Sequence, residues 1–319
     1  MVSSLKRKSD FMMELRRLRV LHGLAQHRTV AATAAALHLT GPAVSQHLAA
    51  LEREAGTPLL EKQGRTLAFT PAGRLLVSHA EVILDDLAAA ESAMAAVSEN
   101  GGTGTVRLAS FSSAARQLVP DAWAGLREAG TVSLRVVQQE PDDALESLRR
   151  QDVDIALVHS YSLLPRAIPP RCEDRRLLED PVLLALGPAL AASSGLAPGE
   201  PVRLERFAGH PWLVPAADLS CREMIHRACG AAGFVPSAAA EASDFAVLIA
   251  LAASGAGVAL VPAMAMPAGP LGVSLHPLEE PLTRKVFALT RTGTARRPDI
   301  RVVLDQLERS ARAWAERYF

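Results

Sequence analysis

The run Thr40-Gly41-Pro42-Ala43-Val44-Ser45-Gln46-His47-Leu48 leaves the chain few choices. Thr40 is a ready helix N-cap and Pro42 suits a first helical turn, where a missing N–H costs nothing. A helix therefore starts here, with Val44, Leu48 and Leu51 along one face. Just upstream, Val30, Ala34 and Leu37 form the apolar face of a shorter helix that Thr29 can cap, and Ala31, Ala32, Ala35 and Ala36 are small enough for close packing. Before it, Leu15, Leu18, Leu21, Leu24 and Ala25 recur at three- and four-residue steps, which predicts a helix from Glu14 to Gln26. Only His38 and Leu39 separate the second helix from the third. Two short helices so tightly connected form a helix-turn-helix, and the second exposes small and amide side chains at its N-terminal end.

Those side chains suit nucleic-acid edges. Gln46 has the amide that bonds adenine bidentately, Ser45 can bond several bases, and the methyls of Ala43 and Thr40 can meet thymine. Beyond Gly56, the text TPLLEKQGRTLAFTPAG predicts strands at Leu59-Leu60 and Leu67–Phe69 around a turn at Gln63-Gly64 that carries Lys62 and Arg65. Such a wing lays basic charge along phosphate and adds affinity without sequence information. Charge distribution agrees. The whole chain balances 34 basic against 34 acidic residues, yet residues 1–72 hold 10 basic and 5 acidic ones, so a +5 head sits on a −5 body.

At this point the segment TVAATAAALHLTGPAVSQHLAALEREAGTPLLEKQGRTLAFTPAG resembles the N-terminal module of LysR-type transcriptional regulators. The specific elements are Thr40 to Leu51, Gly56-Thr57-Pro58-Leu59 and Thr70-Pro71-Ala72-Gly73. The resemblance implies that Pro42, Ala43, Ser45 and Gln46 fall on base- and phosphate-contacting positions, and that Thr29, Gly41 and His47 border them. The chain departs from the family pattern in three places: Gly41 stands where a polar residue is usual, Leu60 replaces a usual aromatic, and the first twelve residues are an extension.

Thr70 can cap a further helix that begins at Pro71, and no strong breaker follows between Gly73 and Asn100. Leu76, Ile83, Ala90 and Val97 repeat every seven residues, with Ala80, Leu87 and Met94 as a second row, which is the a/d pattern of a paired helix. Pairing would hold two recognition helices at fixed spacing and match a pseudo-palindromic site on double-stranded DNA. The expected assembly is a homodimer; a tetramer is implied by the resemblance alone.

Asn100-Gly101-Gly102-Thr103-Gly104 breaks the helix, after which strands and helices alternate: strand Val106–Ala109, helix Ala115–Glu128, strand Val132–Val137, helix Asp142–Arg150, strand Asp152–Val158. This order predicts a parallel sheet. Later come strands near Val182–Leu186, Trp212–Val214, Val258–Val261 and Val286–Leu289, and helices at Cys221–Ala232, Phe245–Ala253 and Pro298–Arg317. The same family resemblance implies a two-lobed α/β regulatory domain, similar to periplasmic binding proteins, with a small-molecule effector between the lobes. The expected organisation is a winged helix-turn-helix over 14–72, a linker helix over 71–100 and a regulatory domain over 104–319. Residues 104–165 and 272–319 are expected in lobe I and 166–271 in lobe II.

Effector candidates follow from strand ends. Ser110-Phe111-Ser112-Ser113 lies between the first strand and its helix, where hydroxyls and free N–H groups can converge on an anion, although Ser112 or Ser113 could simply cap that helix. On the facing lobe the candidates are Asp218, in the loop from Ala216 to Ser220, and Asp244 ahead of an uncharged helix. His159 and Tyr161 end the third strand. Each of these polar residues also has an ordinary structural reading.

Other classes fit less well. Cys172, Cys221 and Cys229 have no metal-like spacing, and eight residues of helix put the latter two about 12 Å apart, outside disulfide reach. Aromatic residues are only 4% of the chain, which argues against a carbohydrate-binding module. Residues 245–278 carry no charge, but Gly255, Gly257, Pro262, Pro267 and Pro270 interrupt them, so helix, turn and strand are expected and not a membrane span. No nucleophile elbow, phosphate loop or dinucleotide fingerprint argues for an enzyme, and no cofactor is expected. A solute-binding protein would lack the basic head and carry an export signal. Lys6 to Lys8 are instead followed by Asp10 and Glu14, so a cytoplasmic location is expected.

Overall fold

The computed structural model describes residues 13–63, 66–97, 104–130, 132–267, 269 and 272–318. The chain forms two compact units, Met1–Gly101 and Gly102–Phe319. The Asn100–Thr103 break lies outside the described residues.

The first unit contains α1 (Leu15–His27), α2 (Val30–Ala36), α3 (Gly41–Ala55), β1 (Leu60–Gln63), β2 (Thr66–Phe69) and α4 (Pro71–Val97). Local chemistry places each boundary. Arg28 takes a left-handed φ of 63° and ends α1 by donating its N–H to the Leu24 carbonyl. Thr29 Oγ1 then accepts from Ala32 N at 3.1 Å, and Thr40 Oγ1 accepts from Ala43 N at 3.3 Å. Leu21, Val44, Leu51 and Leu59 are buried in the centre of this module.

β1 and β2 pair antiparallel, Leu60 with Phe69 and Lys62 with Leu67. Lys62 therefore sits within a strand and not on the turn. The turn residues Gly64 and Arg65 lie outside the described residues. The wing is tied to the helices by Glu52, whose Oε1 accepts from Leu59 N at 2.8 Å and Leu60 N at 3.0 Å. Thr70 adds a second tie, donating its hydroxyl to Pro58 O at 2.8 Å and capping α4 by accepting from Gly73 N at 3.0 Å.

α4 is an unbroken helix of 27 residues, but the two ends of its heptad rows do different work. Ala80 is fully buried in the helix-turn-helix core and Leu76 packs against it. Those two positions are spent inside the module. Ile83, Ala90 and Met94 remain exposed, so a seam for a second helix starts at Ile83 and not at Leu76.

The second unit runs β3 (Gly104–Ser110), α5 (Ser112–Gln117), α6 (Val119–Ala129), β4 (Val132–Gln138), α7 (Pro141–Arg149), β5 (Ile155–Tyr161) and β6 (Cys172–Leu186). It continues with α8 (Pro188–Ser193), β7 (Pro211–Pro215), α9 (Ser220–Ala231), β8 (Ser237–Ala242), α10 (Phe245–Ala253), β9 (Ala259–Pro262), β10 (Ser274–Pro277), β11 (Thr283–Arg291) and α11 (Pro298–Tyr318). The expected single helix at 115–128 is two. Pro120 has no N–H for the Arg116 carbonyl, and the helix restarts after Leu118.

The sheet order is β10-β6-β11-β5-β3-β4, with β9 also on β6. β3 pairs parallel with β4 and β5, as the strand-helix alternation predicts, whereas β11 is antiparallel to both β5 and β6. β6 builds both lobes. Its residues 172–181 pair β11, and residues 182–186 pair β9 and β10. The chain thus passes between lobes at Pro181-Val182 and again at Leu282-Thr283. Strand pairing moves the expected limits: 172–181 joins lobe I, and 272–282 stays with lobe II. The cause is an unpaired flank. The first half of β6 pairs on one side only, which lets charged residues such as Glu173 and Arg176 stand in a strand. The uncharged segment resolves into α10, a turn at Gly255 and the buried strand β9. No helix among the described residues is long and apolar enough to cross a membrane.

Candidate functional site

At the N-terminal end of α3, Pro42, Ser45 and Gln46 are exposed, while Gly41, Ala43 and His47 are half-buried. The opposite face, Val44, Leu48 and Leu51, is buried against α1 and α2, so the helix cannot rotate its polar face away. Ser45, Gln46 and His47 spend no side-chain hydrogen bond among the described residues. The exposed Thr29 and Thr40 behave differently: each hydroxyl accepts from a helix N–H, which orients its methyl and leaves the hydroxyl partly used. Lys62 is exposed on the wing.

The second candidate site lies between the lobes, where β3, β5 and β11 of lobe I face α9 and α10 of lobe II. Its floor is Arg284, 2% exposed, the second residue of β11. Arg284 Nη2 donates to Asp180 Oδ2 at 2.6 Å and to Ser113 Oγ at 2.9 Å, and its Nε donates to the same carboxylate oxygen at 2.9 Å. Asp180 Oδ1 accepts from Met264 N at 3.0 Å. Over the guanidinium lies Phe111, its ring centre 5.1 Å from Cζ. His159 stands edge-on to Phe111 at 4.7 Å and to Tyr161 at 5.1 Å. Arg284, Ser113, Phe111, His159 and Tyr161, with Glu140, Cys221 and Asp244, line a cavity of about 30 Å³. That volume holds one or two waters.

Among the described residues, His159 Nδ1 is buried at this cavity with no hydrogen-bond partner; the buried Tyr161 hydroxyl has none of good geometry either, but it lies within the influence of the Arg284 guanidinium. An unpaired buried polar group costs about 1–3 kcal/mol, so His159 Nδ1 is placed to receive a partner. Burial pushes the His159 pKa well below its usual value, with the charges of Arg284 and Arg166 acting in the same direction, and the ring is neutral. Burial raises the Glu140 carboxyl, against the pull of Arg284. It also pushes the Cys221 and Cys229 thiols up to about 12, so neither is a thiolate at neutral pH.

Of the expected effector residues, Phe111, Ser112, Ser113, His159 and Asp244 border this cavity. Ser110 does not: it is fully buried and donates to the Phe111 carbonyl at 3.2 Å. Asp218 is exposed, and its influence on the cleft is the repulsion it exerts on Glu140. Neither serine caps α5. The helix starts at Ser112, so its N-cap is Phe111, without a side-chain bond, and Ser113 Oγ instead accepts from Arg284. Asp244 is committed locally, capping α10 by accepting from Ala246 N at 2.9 Å. Arg284, Asp180 and Glu140 escape a search for polar residues at strand ends. A signal for Arg284 exists in the alternation of β11, which puts it on the buried face of Val286 and Ala288.

The neutral His159 makes a pH prediction. The unfolded chain binds a proton near pH 6.5 that the folded domain refuses, so its effect is absent above pH 6.5 and stability is lost as pH falls below it, at up to about 1.4 kcal/mol per unit. His159→Gln is expected to flatten the loss seen in denaturant titrations between pH 7.5 and 5.5. Equal losses in both proteins would mean that the ring is protonated in place.

A basic-headed module with an exposed recognition helix, joined to a two-lobed domain with a cavity between its lobes, defines a ligand-responsive DNA-binding regulator. Residues 15–74 match the family model "Bacterial regulatory helix-turn-helix protein, lysR family", and residues 99–312 match "LysR substrate binding domain". The chain belongs to the LysR family of DNA-binding transcriptional regulators, whose members bind DNA as dimers or tetramers, carry a C-terminal effector-binding domain and are not enzymes. It is 28% identical over 255 residues to the transcriptional dual regulator GltC of Bacillus subtilis, covering 78% of this chain and 81% of that one. It is 33% identical over 142 residues to a probable hydrogen peroxide-inducible genes activator of Mycobacterium xenopi, covering 44% of this chain and 75% of that one. A full-length OxyR variant from Pseudomonas aeruginosa shares the fold with a TM-score of 0.64 at 19% identity, over 93% of this chain and 95% of that chain.

Proposed function

We propose that Ser45, Gln46 and His47, with the methyls of Thr40 and Ala43, read base edges in the major groove, and that Gly41 and Pro42 let the backbone approach phosphate. Thr29, Lys62 and Arg65 add phosphate contacts without sequence information. The carrying observation is that α3 holds its exposed Ser45 and Gln46 free of side-chain hydrogen bonds among the described residues while its other face is locked in the core. The exposed Ile83, Ala90 and Met94 of α4 form the seam by which two copies pair, and the protein acts in the cytoplasm.

In a gel shift on the DNA upstream of its own coding region, Gln46→Ala loses about tenfold or more in affinity for the specific site and little for unrelated DNA. Lys62→Ala weakens both alike and lowers the salt slope by about 1. Uniform loss with Gln46→Ala would remove that residue from base reading.

The effector binds in the cleft above Arg284, hydrogen-bonding His159 Nδ1 and the Tyr161 hydroxyl. Because the cavity is about 30 Å³, any effector larger than a few atoms enters by lobe opening at the two crossings, and so selects among lobe arrangements. A peroxide-responsive reading has two observations in its favour: Cys221 borders the cavity, and several relatives are described as hydrogen peroxide-inducible genes activators. Its thiol, pushed up to about 12 by burial, is poorly suited to attack, so a reversibly bound small molecule is the better-supported reading.

A further inference from the structure

A second, larger cavity of about 240 Å³ lies behind the crossings. Its floor is apolar and buried: Val202, Leu204, Ala228, Leu278 and Leu282 are each under 9% exposed. Leu163 closes one side while still 39% exposed, an apolar side chain with an open space before it. The rim is charged and unbalanced. Arg203 carries the one positive charge among the residues that line it, and it is already bonded to Glu205 at 3.2 Å. Glu279 and Glu280 also line the mouth; both are exposed, and neither carboxylate forms a salt bridge or hydrogen bond among the described residues. Three carboxylates against one guanidinium leave the mouth at about −2.

Size and charge together select a ligand. An apolar cavity of about 150 Å³ takes up a benzene ring. At 240 Å³ there is room for a ring and a short chain, and the carboxylates of Glu279 and Glu280, which act on Arg203 only through space, suit a positive end. We infer that this cavity is a second ligand site, separate from the inter-lobe cleft, for a small molecule with an apolar body and one cationic end, such as an arylalkyl amine.

The walls give the site a route to the cleft. Leu163 follows β5 of lobe I, and Leu282 is the last residue before the second crossing, where its carbonyl accepts from Val182 N at 2.8 Å. Helix α9 touches both cavities, with Cys221 at its first turn beside the cleft and Ala228 and Ala231 at its last turns here. A ligand that braces the crossing changes the relative cost of lobe opening and so couples to whatever binds in the cleft.

The test is calorimetric titration of the full-length protein with phenethylamine, phenethyl alcohol and hydrocinnamate. The amine is expected to bind about tenfold or more tightly than the alcohol, and the carboxylate not at all. The Glu279→Gln/Glu280→Gln double variant loses that tenfold preference, and Ala231→Phe, which fills the mouth, abolishes amine binding while melting at the unchanged temperature. Amine binding that survives both substitutions, carboxylate binding as strong as the amine's, or no binding of the amine at millimolar concentration would each overturn the assignment.

Discussion

Asp180→Asn is expected to cost the C-terminal domain about 3–5 kcal/mol, because it strands a buried guanidinium. Asp180 is fully buried and Arg284 is 2% exposed, so water cannot replace the lost partner. An amide at position 180 cannot serve both neighbours: the oxygen needed by Met264 N is the one on Oδ1, which turns the amide N–H groups toward the Arg284 donors. Urea unfolding of the full-length protein should show the loss in the transition of the C-terminal domain, with the N-terminal transition unmoved. Replacing both partners, Asp180→Leu with Arg284→Met, should recover most of it, since a buried pair is often no better than packed hydrocarbon. A single-variant loss below about 1 kcal/mol would show that the pair is solvated. The double variant also removes the donor to Ser113 Oγ, so it should fold well yet respond to no cleft effector.

Gly73→Ala is expected to damage DNA binding without touching a DNA-facing residue. A Cβ at position 73 would stand 2.0 Å from the Leu59 carbonyl oxygen, which is backbone and already accepts from Thr70 N at 3.0 Å. Either the wing shifts off α4 or the helix start unwinds. Overpacking of this kind costs about 3 kcal/mol, and it falls on the strand pair that carries Lys62. The expected result is a lower melting temperature of the N-terminal module and about tenfold or greater loss of affinity for specific and unrelated DNA alike, through lost phosphate contacts. Unchanged melting and binding would mean that the Leu59–Gly73 contact opens freely. The same geometry explains why glycine ends the Thr70-Pro71-Ala72-Gly73 element: the wing strand and the α4 helix approach backbone to backbone there.

Much of the N-terminal module is legible because its instructions are local. Thr29, Thr40 and Thr70 each satisfy an N–H within three residues, Pro42 and Pro71 sit where no N–H is needed, and the three-and-four spacing of Leu18, Leu21 and Leu24 puts them on one buried face. The recognition surface was readable for the same reason, since fixing the buried face of α3 fixes the exposed one. The C-terminal order of strands and helices was readable to the extent that each carried its own periodicity, and β8, an Ser-Ala-Ala-Ala-Glu-Ala strand, carried none.

Long-range pairing decided the rest. Ala80 belongs to a heptad row by spacing, yet α1 packs over it and removes it from any seam, because burial depends on which helix arrives and not on the repeat. Residues 172–181 fall in the range expected for lobe II and carry no strand pattern of their own, until β11 pairs with them and makes them a strand beside lobe I. The cleft is the clearest case. Ser113, His159 and Tyr161 were visible as polar strand ends, but Arg284 and Asp180 meet them only when β11 runs beside the first half of β6, bringing together residues 104 positions apart. The sequence by itself determined a DNA-reading head and a two-lobed body, through caps, periodicity and charge that act over a few residues. Tertiary structure alone decided where the lobes divide and what lies at the floor of the cleft, because an ionic pair and a sheet edge have no local signature until their partners are in place.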